Sequence, residues 1–394
     1  MINSKKATIA IVVIGYNDEI RLERLFHSLN SAFYDENVDI IISIDYSENK
    51  LVRELVEGFS WKFGKKITRF FEKKQGLKKH ILSCGDFLME YDALIILEDD
   101  LIVSPCFYNY ARNAVEYYKK DMRIAGISLY SPQWNYDANY PFEPQKNGKD
   151  TYFIQYAQSW GQIWLKEQWI EFKDWLNDHE DYFEGERKSY VPQNLYQWGK
   201  NSWLKYHIAY CMECDKFFVY PYDSYSTTFS EAGVHSKITL TRFQVNLMIM
   251  EKKEFIFSDL SKDSVCYDTF LESVLLKNYF ERYESSNVCV DLNGKKRDFK
   301  CADKLISTQI LDFEVLDEYA LQLRPLEMNI LMDLKGEGIW VYNLRRKKEF
   351  RESRQKQIVR KWDYFFRERF LTTEEIFPVM LKKAKTYIKY IFRL

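Results

Sequence analysis

The chain of 394 residues is poor in the residues that bend or punctuate a backbone, with 14 glycines and 8 prolines. That scarcity argues against repeats, collagen-like segments and long disordered linkers. No G-x-x-x-x-G-K-[ST] and no G-x-G-x-x-G occurs. A glycine loop whose N–H groups cradle phosphates is therefore missing, which removes P-loop NTPases and glycine-fingerprint dinucleotide enzymes. H-E-x-x-H and G-x-S-x-G are also absent, so zincin and serine-hydrolase chemistry is excluded. The 7 cysteines are odd in number and scattered. They make no disulfide framework and fit a reducing compartment. No apolar stretch reaches about 18 residues, so no spanning helix is expected. The run Ile9 to Ile14 is too short for a leader and meets Gly15-Tyr16-Asn17 without a small-residue cleavage site, so a cytoplasmic location is expected.

What is present is a large apolar fraction, 46%, rich in Tyr and Phe. It is enough to bury a sizeable core. The net charge of −1 conceals an asymmetry. Residues 345–394 carry 16 Lys/Arg against 6 Asp/Glu, a net of +10, and the remainder is −11. A basic tail on an acidic body predicts a partner for the tail.

The first hundred residues alternate between two periods. Thr8 to Ile14, Asp39 to Ile44 and Ala93 to Leu97 are continuous apolar runs rich in β-branched residues, the pattern of strands buried on both faces. Lys66 to Phe71 reads as a further strand. Helices are expected to follow each, through Leu29 with Asn17 or Asp18 as cap, over Lys50 to Phe59, and over Leu77 to Tyr91. Alternation of this kind predicts a parallel, doubly wound α/β sheet. Ligands of such sheets bind beyond the carboxyl ends of the strands. Asn17, Asp45 and Glu98-Asp99-Asp100 all fall there. Further on, a helix over Ser104 to Tyr118, strands at Arg123 to Leu129 and Phe217 to Tyr220, and a helix near Glu167 to Trp175 are expected. Val288 to Phe299 reads as a hairpin turning at Asn293-Gly294.

Three adjacent carboxylates repel one another unless a cation or donors compensate them. Oxygen ligands alone suit Mg²⁺ or Mn²⁺, which keep waters and bridge to phosphate oxygens. A strand reading puts Glu98 and Asp100 on one face and Asp99 on the other. A bland alternative is a solvated acidic turn.

The stretch ILEDDLIVSPCFYNY (96–110) resembles the metal-binding strand of GT-A glycosyltransferases of the N-acetylglucosaminyltransferase I type. VVIGYNDEIRLERLFHSL, ISIDYSEN, AGISLYSPQWN and SWGQIWLKEQW are similar to further elements of that family, and the C-terminal part resembles bacterial surface-polysaccharide transferases. The resemblance implies Asp100 as metal ligand, Glu98 and Asp99 on the donor, Asp45 on its base or ribose, Asn17 nearby, and Trp160 and Gly161 lining a sugar pocket. It implies His235 as a late metal or diphosphate ligand. It also implies an inverting reaction with a carboxylate base. The matching stretch here, Asn201 to Lys205, has no carboxylate, which leaves Glu231 and Asp174 as fallback bases.

His207, Cys211 and Cys214 share one helix face at i, i+4, i+7 and lack a fourth zinc ligand, so buried core residues are the expectation. Pro378, Leu381, Ala384, Ile388 and Ile391 form an apolar seam beside Lys382, Lys385, Lys389 and Arg393. That is a basic amphipathic helix suited to an anionic membrane surface, the alternative being a helix packed on the chain's own acidic body. No nucleic-acid module accompanies the charge, and nucleic acid is not expected as a partner.

The expected organisation is a GT-A domain over 1–250, a C-terminal α/β extension over 251–344 and a basic helical tail over 345–394. The expected activity is metal-dependent transfer of a sugar from a nucleotide donor, UDP-linked, to a glycan or lipid-linked oligosaccharide of a bacterial surface polysaccharide, at the inner face of the membrane. The rivals are a catalytically impaired glycan- or nucleotide-sugar-binding protein of the same fold and a sugar nucleotidyltransferase.

Overall fold

The computed structural model describes residues 6–231, 241–252, 254–284, 287–299, 301–349 and 353–366, with 377, 378, 381 and 384 beyond them. Along the chain run β1 (Ile9–Gly15), α1 (Glu19–Asn30), β2 (Asp39–Ile44), α2 (Lys50–Gly58), β3 (Lys66–Phe70), α3 (Leu77–Cys84), β4 (Ala93–Glu98), β5 (Leu101–Val103) and α4 (Phe107–Tyr118). Then come β6 (Ile124–Ser128), β7 (Trp134–Asn135), β8 (Tyr140–Pro141), β9 (Thr151–Ile154), β10 (Gln162–Leu165), α5 (Lys166–Asp178), α6 (Leu204–Glu213), β11 (Phe217–Pro221), β12 (Ser226–Thr228) and β13 (Cys266–Tyr267). The C-terminal part holds α7 (Val274–Glu284), β14 (Val288–Asp291), β15 (Lys304–Ser307), β16 (Phe313–Ala320), α8 (Met328–Leu331), β17 (Gly338–Lys347) and α9 (Arg354–Phe366).

A nine-stranded sheet in the order β13-β9-β11-β6-β10-β4-β1-β2-β3 forms the body. The α/β class expected from the sequence is what the chain adopts. Alternate residues of β1 explain its unbroken apolar run. Ile9, Ile11 and Val13 face one buried cluster, and Ala10, Val12 and Ile14 face the other. Both faces are covered, so no position is left for a polar residue. The sheet is parallel through β3, β2, β1 and β4. It is mixed beyond, because β10 runs antiparallel between β4 and β6.

Three local expectations change. The helix after β3 stops at Cys84 and continues as a 3-10 turn over Gly85–Met89. There Gly85 lies under the Trp169 indole, and an added Cβ would fall 2.1 Å from Trp169 Nε1. The helix expected from Ser104 begins at Phe107. The Asn293-Gly294 hairpin does not form. The Asp291 carboxylate accepts the N–H groups of Lys295 and Lys296, the groups a returning strand would spend on pairing. β14 instead pairs in parallel with β15.

That pair belongs to a second sheet, β14-β15-β17-β16, with its own apolar cluster. The chain remains with the main sheet past residue 250, since Ile256 and Ser258 donate N–H groups to Asp150 and Thr151 and β13 pairs with β9. His207 lies in the core as expected, stacked on Phe172 at 4.1 Å, and burial pushes its pKa down to about 3. Among the described residues no group of three His, Cys, Asp or Glu is arranged to hold an ion by itself. Nor is any described helix long and apolar enough to cross a membrane. Of the tail seam, Pro378, Leu381 and Ala384 are helical and exposed, and Ile388 and Ile391 lie outside the described residues.

Candidate functional site

The register of the central strands fixes the site. Ile14 pairs with Ser43 on one side and with Glu98 on the other. The carboxyl ends of β1, β2 and β4 therefore sit at one level. Gly15 ends β1 close to the Ile44 side chain, whose Cδ1 would lie 2.8 Å from an added Cβ and have to shift. Asp18, not Asn17, caps α1, accepting the Arg21 N–H at 3.0 Å. Asn17 is exposed on the same edge, and its carbonyl accepts from the Asn49 amide at 3.0 Å.

Glu98 ends β4, Asp99 and Asp100 form a turn, and the chain re-extends as β5. The alternation expected of a continuous strand is thus replaced by a bend. All three carboxylates feel one another. Burial, then Asp100 and Asp99, hold the Glu98 carboxyl well above its usual range. Burial and Asp100 push Asp99 up to about 7, opposed by the Tyr16 N–H, which donates to Asp99 Oδ2 at 3.3 Å, and by Arg21. Such crowding costs energy that the fold does not need to incur, and it is relieved by positive charge. A hard divalent cation fits this donor set. Magnesium-type ions are held by one or two carboxylates plus substrate phosphate oxygens, not by an all-protein cage.

A short ribbon covers the turn. β12 pairs antiparallel with β5, Thr228 opposite Leu101, and the Thr228 hydroxyl donates to the Asp100 carbonyl at 3.3 Å. The ribbon brings Glu231 to the same corner, 207 residues from its partner Arg24, which donates to it at 2.7 Å; Arg21 lies at 3.8 Å. His235, which follows, lies outside the described residues.

Asp45 is buried at the end of β2. Its carboxylate accepts the N–H groups of Tyr46 and Gln75 at 2.8 Å and of Gly76 at 2.9 Å. It clamps the loop before α3 onto the strand end. Three backbone donors occupy much of its capacity, so its evident structural work is to hold that loop against the strand end.

Trp160 and Gly161 precede β10, whose Gln162 pairs with Ile96. The pairing begins at Gln162, and Trp160 lies just before it, across the Gly161 turn. Gly161 has φ +84, and an added Cβ would fall 2.6 Å from Ser226 Oγ, so only glycine suits the turn. The Ser226 hydroxyl donates to the Trp160 carbonyl at 2.6 Å. The Trp160 indole is half-buried among Tyr130, Phe243 and Tyr136, with ring centroids at 4.9, 5.2 and 5.7 Å. Asp174 is not brought to this corner. It is exposed on α5, a helix tied to the opposite edge, where the Lys166 N–H donates to the Asp92 carbonyl and Lys216 pairs with Glu171.

No family model matches the chain, and no curated protein matches it. Among solved structures it is similar to S. aureus TarS 1–349, at 13% identity and a TM-score of 0.37, over 56% of this chain and 59% of that one. It is similar to the mannosyltransferase PcManGT from Pyrobaculum calidifontis, solved with GDP-Man and Mn²⁺, at 10% identity and a TM-score of 0.34 over 55% of each chain. It is also similar to GalNAc-T7, solved with UDP, GalNAc and Mn²⁺, at 15% identity and a TM-score of 0.36, over 55% of this chain and 43% of that one. The chain spans less than two thirds of the length of each of these proteins. The fold class rests on the sheet order itself.

Proposed function

We propose that the protein is a GT-A-type glycosyltransferase that transfers a sugar from a nucleotide-diphosphate donor, UDP-linked, to a glycan acceptor. The observation that carries this reading is the Glu98-Asp99-Asp100 turn at the carboxyl end of the central strand, where burial and mutual repulsion hold Glu98 and Asp99 protonation-prone. Asp100 is the residue assigned to the cation, with His235 as a second ligand. Glu98 and Asp99 face the donor's ribose and sugar, and Trp160 offers an aromatic face beside them. Asn17 and the loop that Asp45 clamps line the nucleotide side. A divalent cation, when bound, neutralises charge developing on the diphosphate leaving group. The acceptor is a lipid-linked oligosaccharide of a bacterial surface polysaccharide, and the apolar seam of the basic tail from Pro378 onward holds the enzyme at the inner membrane face, while α9 packs on the extension through Lys361 and on Tyr140 through Phe365. The transferase domain takes in β13, whose pairing with β9 keeps the chain on the main sheet past residue 250, and the extension follows it.

The test is turnover of a UDP-sugar panel with Mn²⁺, comparing the parent with Asp100→Ala. Metal-dependent turnover that collapses in the variant is expected. Full activity in Asp100→Ala would remove the metal assignment. No nucleotide binding by the parent would remove the transferase reading.

A further inference from the structure

Helix α9 is amphipathic in the inverse sense. Its inner side is tied down largely by polar groups. The Lys361 ammonium lies 3.3 Å from the Asn293 carbonyl, the Gln357 amide donates to the Thr308 carbonyl at 2.6 Å, and Arg360 pairs with Glu337 at 2.9 Å. Arg324 donates to the Tyr364 and Phe365 carbonyls at 2.9 and 3.2 Å. Phe365 stacks on Tyr140 of the main body, with ring centroids at 4.5 Å. The helix is therefore anchored to the extension and to the body at once.

Its outer side carries Ile358, Val359 and Trp362, which are 56, 57 and 53% exposed. With Phe366, whose ring lies 6.1 Å from that of Trp362, they form one stripe along the helix. A surface helix ordinarily turns its apolar stripe to the core and its polar residues to water. Here cationic and amide side chains hold the inner side, and the apolar stripe meets solvent. A contiguous exposed strip of this kind marks an interaction surface. Its surroundings say which surface. Residues 345–366 hold nine Lys/Arg against three Asp/Glu. Lys356 on α9, and Lys347 and Lys348 at the end of β17 just before it, are exposed. Cations bordering an apolar strip complement a surface that offers phosphates at one level and acyl chains beneath them. An indole half in water is also suited to the headgroup level of a bilayer.

We propose that the outer face of α9 is a second, orienting membrane contact, which lies on an anionic lipid surface with Ile358, Val359 and Trp362 among the headgroups and the neighbouring lysines on lipid phosphates. The inference rests on the membrane location proposed above and deepens it. The seam from Pro378 onward can act as a tether, and a tether alone leaves the attitude of the protein free. Helix α9 is bonded to the extension and stacked on Tyr140, so contact through its outer face fixes the attitude of both bodies against the surface.

The experiment uses the full chain with vesicles of phosphatidylcholine alone and of phosphatidylcholine mixed equally with phosphatidylglycerol. The combined substitutions Ile358→Gln and Trp362→Gln are expected to lower partition onto the mixed vesicles about ten-fold, the scale of two apolar side chains withdrawn from the interface. The Tm should match that of the parent, because both side chains are exposed. Trp362→Phe keeps the face apolar. It should bind close to the parent's level and lose most of the tryptophan quenching that brominated phosphatidylcholine in the mixed vesicles gives the parent. The combined substitutions Leu381→Gln and Ile388→Gln test the tail seam separately. Parent-like binding by the α9 variant would overturn the contact, and a loss confined to the seam variant would then leave the tail reading standing. Loss confined to the α9 variant would uphold the contact and remove the tail reading. Equal binding of the parent to both kinds of vesicle would overturn the anionic partner. A parent dimer in sedimentation that the α9 variant dissociates would assign the face to a second copy of the chain and overturn the lipid contact. A parent that binds no vesicle removes both readings.

Discussion

Two acidic clusters in this molecule share one electrostatic signature and differ in how their oxygens are used. At the end of β4, burial and neighbouring carboxylates raise Glu98 and Asp99. In the extension, burial and Asp291 push Glu272 up to about 8. There the resemblance ends. Asp291 accepts the N–H groups of Lys295 and Lys296 and the Gln309 amide. Glu272 accepts the N–H groups of Leu292 and Asn293, and Asp268 takes those of Phe270 and Glu272 together with the Lys296 ammonium. Burial holds the nearby Lys361 down to about 8, with its ammonium 3.3 Å from the Asn293 carbonyl. These acids tie loops to strands. The turn after β4 bends outward at a strand end. A raised pKa therefore does not by itself mark a functional site; what the carboxylate is bonded to separates the two.

The contrast can be broken at either cluster. Asp291→Ala leaves three part-buried donors without their acceptor and is expected to cost about 1–3 kcal/mol, read as an early unfolding transition of the extension in urea. If that transition is unmoved, the cluster is not structural. Asp100→Ala is expected to lower metal-dependent UDP-sugar turnover about 10²–10³-fold, the scale of a lost transition-state charge stabiliser, with Tm nearly unchanged. A large fall in Tm with little loss of turnover would reverse the roles of the two clusters.

The acidic turn also predicts a pH dependence. An Asp99 carboxyl that titrates near 7 when folded and near 3.8 when unfolded binds more protons in the native state between those values. Stability must then fall as pH rises from about 4 to 7 and stay reduced above. Asp99→Asn should therefore stabilise the protein at pH 8 by about 1–2 kcal/mol after allowing for partial exposure, and by little at pH 4. Melting curves at the two pH values decide this. Mn²⁺ should give the parent a similar gain at pH 8 by binding the native state alone. The smallest effect is expected for Arg24→Ala, which removes the half-exposed pair with Glu231 and costs about 0.2–1 kcal/mol in denaturant.

Much of this was legible in local sequence. The apolar runs over Thr8 to Ile14, Asp39 to Ile44 and Ala93 to Leu97 appear as β1, β2 and β4 within a residue or two, because a strand covered on both faces admits no polar position. The acidic triplet at a strand end was legible for the same reason. The Asn293-Gly294 hairpin misled, since the dipeptide signals a turn and says nothing about which strand the next residues pair with.

The sequence by itself determined the α/β alternation, the level of the acidic turn and the buried fate of His207, Cys211 and their neighbours, all consequences of short-range period and polarity. Only the tertiary structure decided that β10 enters antiparallel beside β4, that Trp160 packs among Tyr130, Tyr136 and Phe243, that Glu231 is paired with Arg24, and that Asp174 lies away from that corner. Each of these depends on contacts between residues far apart in the chain, whose partners are chosen by packing and not by their neighbours in sequence.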